Sequence, residues 1–227
     1  MLIHIPQVLA AEELQEVRSI IEAEAWVDGK ATAGDQAAKA KFNLQITEGS
    51  PAGMKAGDII LKALGRNPTF NAAAIPLRVL PPLFNRYDAG MKFESHVDGA
   101  IRTIPGANMR MRADVSSTLF LTPPEEYDGG ELVISDTYGE QRVKLPAGHI
   151  VVYPSTSLHS VTPITRGSRW SSFFWTQSMV RDDGQRAMLY DLDVAIREIR
   201  SQLSDENQAV VALTSHYHNL LRRWAEL

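Results

Sequence analysis

The sequence predicts an α+β fold: an antiparallel β sandwich or barrel with helices at both ends of the chain. Two observations carry this. Between Val115 and Trp175, short apolar runs recur at regular intervals. Turn signals separate them: Pro123-Pro124, Asp128-Gly129-Gly130, Tyr138-Gly139 and Arg166-Gly167. That is the pattern of sandwich and barrel strands. On either side the period changes. Leu14, Val17, Ile20 and Ile21 near one end, and Leu189, Leu192, Ile196, Ile199 and Leu203 near the other, recur every three or four residues. Such spacing puts them on one face of a helix.

Taken in order, Leu2 to Ile5 is a short strand stopped by Pro6. Ala10 to about Trp26 is a helix, with Glu12 and Glu13 favouring the dipole at its start and Asp28-Gly29 ending it. Ala31 to Ala40 is small and polar; it reads as a surface connection, or alternatively as a lid over a substrate mouth. Lys41 to Ile46 alternates polar and apolar residues and reads as a strand. Met54 to Leu64 is a second helix, with Gly65-Arg66-Asn67-Pro68 as its stop signal.

Pro76 to Tyr87 is strand-rich and broken at Pro81-Pro82. Asp88-Ala89-Gly90 turns into a strand from Lys92 to Val97. Gly99 to Arg112 reads as a loop whose Arg102, Arg110 and Arg112 form a solvated rim or, alternatively, a contact for an acidic substrate. Strands follow at Val115–Leu121, Glu131–Ile134, Arg142–Leu145, Ile150–Tyr153, around His159, and Arg169–Trp175. After Ser204-Asp205 a second helical stripe, Val210, Leu213, Tyr217, Leu220 and Trp224, completes an αα-hairpin. These stripes need cover from each other, from the barrel or from a second subunit, so a homodimer through the C-terminal helices is one expectation. The chain thus divides into a support region (1–75), a central β domain (76–178) and a C-terminal helical hairpin (179–227).

Composition narrows the function. The chain has 227 residues, a net charge of −4 and no cysteine. Without cysteine there are no disulfides, thiolate metal sites or Cys nucleophiles, so any metal is held by nitrogen and oxygen. No basic stripe with interleaved aromatics suggests nucleic acid. No apolar run approaches a membrane span, and Met1-Leu-Ile-His-Ile-Pro6 lacks the basic region of a signal peptide. A cytoplasmic protein, with no nucleic acid and no membrane as partner, is the expectation.

The chemistry gathers at Phe84 to Asp98. His96-x-Asp98 offers an imidazole and a carboxylate two residues apart, which on a strand share a face. His159 is the best third ligand; its rival His149 sits at a strand start a whole strand away. Two imidazoles and a carboxylate on one face of an octahedral ion leave three positions open, the arrangement of non-haem Fe(II) oxygenases. Ten residues beyond His159, Arg169 opens an apolar strand, where a guanidinium needs a buried partner. The far carboxylate of 2-oxoglutarate is one, held by two parallel hydrogen bonds. Ser171 shares Arg169's face, and Tyr87 is a further candidate contact to the cosubstrate. A zinc hydrolase would use the same three ligands to activate water, but would give Arg169 no role.

The motif Tyr87-x-x-Gly90-x-x-Phe93-x-x-His96-x-Asp98, with Gly129-Gly130-Glu131-Leu132, Ala147-Gly148, His159 and Arg169, resembles the prolyl 4-hydroxylase-type Fe(II)/2-oxoglutarate dioxygenases. The run Tyr153 to Pro163, with Arg166-Gly-Ser-Arg169 and Trp175-Thr-Gln-Ser178, more closely resembles the bacterial PKHD-type hydroxylases, the PiuC/YbiX group associated with iron uptake. The likeness covers nearly the whole chain. It implies a double-stranded β-helix, or jelly roll, with helices packed outside. It also implies Fe(2+) held by His96, Asp98 and His159, 2-oxoglutarate at Arg169, and L-ascorbate as an accessory reductant. Arg169 stands where many prolyl hydroxylases use Lys, and Phe120 where some place a Tyr. The expected reaction hydroxylates an unidentified small-molecule or peptide substrate with release of succinate and CO2. The alternative is a cupin-like iron-binding or iron-sensing protein without turnover.

Overall fold

The computed structural model describes residues 1–32, 40–104 and 106–227. Most of Ala31–Ala40, and with it the lid reading, lies outside the described residues. In chain order the strands are β1 (Ile3–Ile5), β2 (Trp26–Asp28), β3 (Lys41–Phe42), β4 (Leu44–Ile46), β5 (Pro76–Val79), β6 (Leu83–Tyr87), β7 (Lys92–His96), β8 (Ile101–Thr103) and β9 (Arg110–Arg112). They continue as β10 (Val115–Phe120), β11 (Asp128–Gly129), β12 (Leu132–Asp136), β13 (Gly139–Val143), β14 (Ile150–Pro154), β15 (Leu158–Val161), β16 (Ile164–Arg166) and β17 (Arg169–Ser178). The helices are α1 (Ala11–Glu22), α2 (Pro51–Gly65), α3 (Pro68–Ala74), α4 (Asp183–Gln202) and α5 (Gln208–Trp224).

Two antiparallel sheets form the jelly roll. The larger runs β1-β14-β10-β17-β6-β4-β2, with β5 also paired to β17; the smaller runs β13-β12-β15-β7-β3. Strand alternation gives the larger sheet two jobs. One face is apolar: Val115 and Leu119 of β10, Ile150 and Val152 of β14, and Phe174 of β17 share a buried core with Val17 and Ile21 of α1, Ile60 of α2 and Phe70 of α3. Each such side chain, fully buried, contributes about 1.5–3 kcal/mol. The other face turns Ser116 and Thr118, Tyr153, and Arg169 and Ser171 toward a cavity. Arg169 and several polar residues of these strands therefore face the site.

Several expectations change. The first helix stops at Glu22, four residues short, because Trp26–Asp28 pairs with Leu44–Ile46. The Trp26 ring then meets Trp170 at 5.5 Å. The predicted strand Lys41–Ile46 is broken at the buried Asn43: β3 joins the smaller sheet and β4 the larger. One short segment thus crosses between the sheets. Gly65 to Pro68 not only stops α2 but starts α3. Asn67 caps it by accepting a hydrogen bond from Phe70 N at 2.8 Å, and Pro68 takes the first helical position.

The expected loop Gly99–Arg112 contains the hairpin β8–β9. Arg110 is exposed, but Arg102 and Arg112 are not a solvated rim. Arg112 binds both oxygens of Asp114, at 2.8 and 3.2 Å, and Arg102 stacks 3.6 Å over the Trp175 ring. The αα-hairpin forms as expected. Leu189 of α4 is buried with Ile75 and Val180 beneath Tyr217, Leu220 and Trp224 of α5. Among the described residues no helix is long and apolar enough to cross a membrane.

Candidate active site

His96 closes β7, and its strand partner on β15 is His159. This direct pairing brings together two residues 63 positions apart in sequence, with ring centres 4.3 Å apart. Asp98 lies beyond the end of β7, so the shared strand face predicted for His96 and Asp98 is not how they meet. The chain leaves the strand and returns the carboxylate to within 3.8 Å of His159 Nε2. One ligand atom from each of the three residues lies within 4.8 Å of the others.

The imidazoles are fixed in the orientation a metal requires. His96 Nδ1 is 2.8 Å from the Glu94 carbonyl, and His159 Nδ1 is 3.0 Å from the Ser157 carbonyl. A carbonyl only accepts, so each Nδ1 carries the proton and each Nε2 keeps its lone pair. Burial, then the neighbouring His159, pulls the His96 pKa down to about 4, so the ring is neutral at pH 7. Phe93 stacks on His96 at 3.7 Å, and Tyr153 meets His159 edge-on at 5.2 Å. The Asp98 carboxylate accepts a 2.6 Å hydrogen bond from Ser116, which is 2.8 Å from Ser155. Neither serine was singled out from the sequence.

Arg169 opens β17 and is only 1 % exposed. Its register partner on β6 is Tyr87, and Ser171 lies opposite Asn85. The guanidinium lies 5.4 Å from the Tyr87 ring centre and 5.0 Å from that of Phe120. Nη1 donates to Ser171 Oγ at 2.8 Å, and Ser171 donates onward to Asn85 at 2.5 Å. Nε and Nη2 have no hydrogen-bond partner among the described residues. A buried cation with two unanswered donors is costly unless an anion completes it, and a carboxylate has the matching fork. Burial pushes the Tyr87 hydroxyl up to about 12, leaving it a neutral donor.

Most of these side chains open on one cavity of about 600 Å³ between the sheets. His96, Asp98, His159, Arg169, Ser171 and Tyr87 all line it. His149 does not; it pairs with His4 at 2.9 Å elsewhere. Lys41, Arg102, Ser116 and Tyr153 also line the cavity. They come from four different elements, and no spacing in the sequence connects them. The donor set suits a divalent ion such as Fe(II), with three protein ligands and open positions.

The chain is similar to known proteins over its whole length. Residues 82–177 match the 2OG-Fe(II) oxygenase superfamily, and residues 183–226 match the PKHD-type hydroxylase C-terminal domain. A PKHD-type hydroxylase of Methylobacterium nodulans is 66 % identical over 227 residues, covering 100 % of both chains. Among solved structures, a prolyl hydroxylase of Trichoplax adhaerens, in complex with a hypoxia inducible factor peptide fragment, aligns with a TM-score of 0.57 at 13 % identity. It covers 82 % of this chain and 86 % of that one. HygX of Streptomyces hygroscopicus, with nickel, 2-oxoglutarate and hygromycin B bound, aligns with a TM-score of 0.52 at 14 % identity, covering 78 % and 82 %. At such identities these two structures are similar in fold.

Proposed function

Because the chain belongs to the PKHD-type hydroxylases of the 2OG-Fe(II) oxygenase superfamily, and is a dioxygenase, we propose that it hydroxylates a C–H bond of a small molecule or peptide in the cavity between its sheets. His96, Asp98 and His159 hold Fe(II) through two Nε2 atoms and one carboxylate. Arg169 receives the far carboxylate of 2-oxoglutarate, with Ser171 fixing one edge of the guanidinium and Tyr87 flanking it. Bound iron and cosubstrate supply the activation of dioxygen, with succinate and CO2 as by-products. The protein's work is to orient and to exclude water. Ser116 holds Asp98, the backbone carbonyls hold the histidines, and Phe93 and Tyr153 shield them. The observation that carries the reading is the buried Arg169, whose Nε and Nη2 are unanswered in the cavity that holds the His-Asp-His cluster.

In this reading residues 76–178 carry the chemistry, 1–75 support the larger sheet and 179–227 close its end. L-Ascorbate would serve as an external reductant for the iron and is assigned no residue. The cytoplasm, which is reducing and holds 2-oxoglutarate, is the proposed compartment, and a link to iron uptake or homeostasis is the proposed setting. The homodimer proposal rests on Met188 and Val211, which stay exposed on α4 and α5. Sedimentation showing a monomer at all concentrations removes it.

The deciding experiment loads Fe(II) and 2-oxoglutarate anaerobically and then admits oxygen. Oxygen-dependent succinate that is lost in His159→Ala is expected. An anaerobic Fe(II)–2-oxoglutarate charge-transfer band that appears without any succinate, whatever substrate is offered, would favour iron sensing instead. Arg169→Gln is expected to raise the KM for 2-oxoglutarate by about 100-fold, the loss of a buried charge-assisted pair of hydrogen bonds. An unchanged KM rules out Arg169 as the cosubstrate anchor.

A further inference from the structure

A carboxylate has two oxygens, but a centre of two imidazoles and one carboxylate keeps three positions open only if Asp98 gives a single oxygen. A second oxygen on the ion would take the position left beside a chelating 2-oxoglutarate, and dioxygen would have nowhere to bind. Asp98 lies in the loop after β7, so no strand pairing fixes how its carboxylate is turned. Something else has to hold the second oxygen back.

The two oxygens meet different neighbours. Oδ2 lies 3.8 Å from His159 Nε2 and accepts from Ser116 at 2.6 Å. Oδ1 faces Arg102, whose Nη2 is 3.9 Å away. That distance exceeds a hydrogen bond, so the attraction is charge on charge. It is weakly screened, because the Asp98 side chain is only 10 % exposed. Asp98 is also the carboxylate whose charge acts most on Arg102, ahead of Glu48. Arg102 is itself held in place. Its backbone pairs with Met111 in the β8–β9 hairpin, and its guanidinium sits over the Trp175 ring at 3.6 Å, a contact that suits a planar cation. Trp175 is in turn the register partner of Ser116 across β17 and β10. One strand pair therefore holds both oxygens: Ser116 bonds Oδ2, and Trp175 carries the cation that faces Oδ1.

We infer that Arg102 is a positioning residue for the metal centre: by attracting Oδ1 it limits Asp98 to one-oxygen ligation and keeps a position open for dioxygen. The inference rests on the dioxygenase reading above and deepens it at the same site. Arg102 acts through Asp98 and is assigned no contact with the cosubstrate. Ser116 and Arg102 then have opposite effects on affinity. Ser116 orders the ligand and strengthens metal binding, whereas Arg102 competes with the ion for the same negative charge.

The test uses the full chain loaded anaerobically with Mn(II) and 2-oxoglutarate. Water-proton relaxation then reads whether the bound ion keeps an exchangeable water. The native complex is expected to keep one and Arg102→Met to lose it, as Oδ1 closes onto the ion. Arg102→Lys, which retains the charge, is expected to keep the water. Calorimetry is expected to find Mn(II) bound about threefold tighter by Arg102→Met than by the native chain, since a competing cation is gone. A water retained in Arg102→Met, or lost from both variants, overturns the inference. So does Mn(II) binding weakened about tenfold or more in Arg102→Met, which would make Arg102 an ordinary support of the ligand loop. Should Arg102→Met fail to fold, the native chain still gives an answer. With carboxyl-labelled aspartate, the infrared splitting of the carboxylate stretches that shift on Mn(II) loading is expected to widen, as one-oxygen ligation requires; a narrowed splitting overturns the inference. Failure to take up Mn(II) or 2-oxoglutarate at all overturns the dioxygenase reading instead, so the two failures are distinguishable.

Discussion

Burying Lys41 leaves a signature in the pH dependence of stability. Burial is the main cause, and the nearby Arg102 adds to it; together they pull the ammonium down from 10.5 to about 8. Between those two values the unfolded chain holds a proton that the folded chain has released, so stability rises with pH across that window. Below pH 8 the buried charge opposes folding, by on the order of 3 kcal/mol. Lys41→Met is therefore expected to be more stable than the native chain at pH 7 and to lose the rise between pH 8 and 10.5. Denaturant titrations at several pH values read both effects, and an unchanged slope contradicts the assignment. A second expectation concerns Ser116, whose hydroxyl holds the Asp98 carboxylate at 2.6 Å. Ser116→Ala is expected to weaken Mn(II) binding by about 10–100-fold, measured by calorimetry without cosubstrate. The three candidate ligands and Arg169 were legible in the sequence as a set: His96-x-Asp98, a histidine about sixty residues later, and a charged residue opening the apolar run that ends at Trp175. Ser116 and Lys41 were not, because serine and lysine are common and their roles arise only where separate strands converge.

Turns and crossings between elements set the precision of the site. Gly130 follows β11 with φ at +64°, and a Cβ there would lie 2.3 Å from Ile164 Cδ1 and 3.0 Å from Arg169 Cδ. Only glycine lets the turn and the arginine stem occupy neighbouring space. Gly130→Ala is expected to lower stability by about 1–3 kcal/mol and to raise the KM for 2-oxoglutarate, since one of the crowded atoms belongs to Arg169. A melting curve and a KM measurement check the two parts; a stability loss with KM unmoved would confine the turn's role to folding. The sequence carried the signals for the central strands and the C-terminal hairpin, where periodicity and turn residues agree. It carried weaker signals where one short segment serves two sheets. Lys41 to Ile46 has the alternation of a single strand, yet Asn43 divides it, because β3 pairs with β7 and β4 with β6. Likewise Trp26 fits a helical stripe by spacing, but pairing with β4 and contact with Trp170 claim it for a strand. Tertiary partners decide such cases, and they lie far away in the chain.

Across the molecule, the cavity depends on a sheet whose other face must be kept dry. The helices α1, α2 and α3 cover the back of β10, β14 and β17, and α4 and α5 extend that cover around Ile75. The tail fastens the arrangement. Glu226 N donates to the Met179 carbonyl at 2.7 Å, and Arg112 reaches Glu226 at 3.3 Å while holding Asp114. Asp114 in turn accepts from the backbone of Ser178, at the end of β17. The strand that carries Arg169 at its start is thus anchored at its finish by the C-terminal hairpin. Ending the chain at Ser178 removes Val180 and Leu189, exposes Ile75 and frees Arg112 from Glu226. The expected result is a melting temperature lower by on the order of 10 °C. Charge at the His-Asp-His cluster does not depend on the hairpin, so Mn(II) affinity measured well below the new melting temperature is expected to stay within about threefold of the intact chain's. A shortened chain that melts like the intact one would mean that the hairpin is an independent appendage. Loss of metal binding in a still-folded shortened chain would mean that the hairpin shapes the site directly, through the far end of β17.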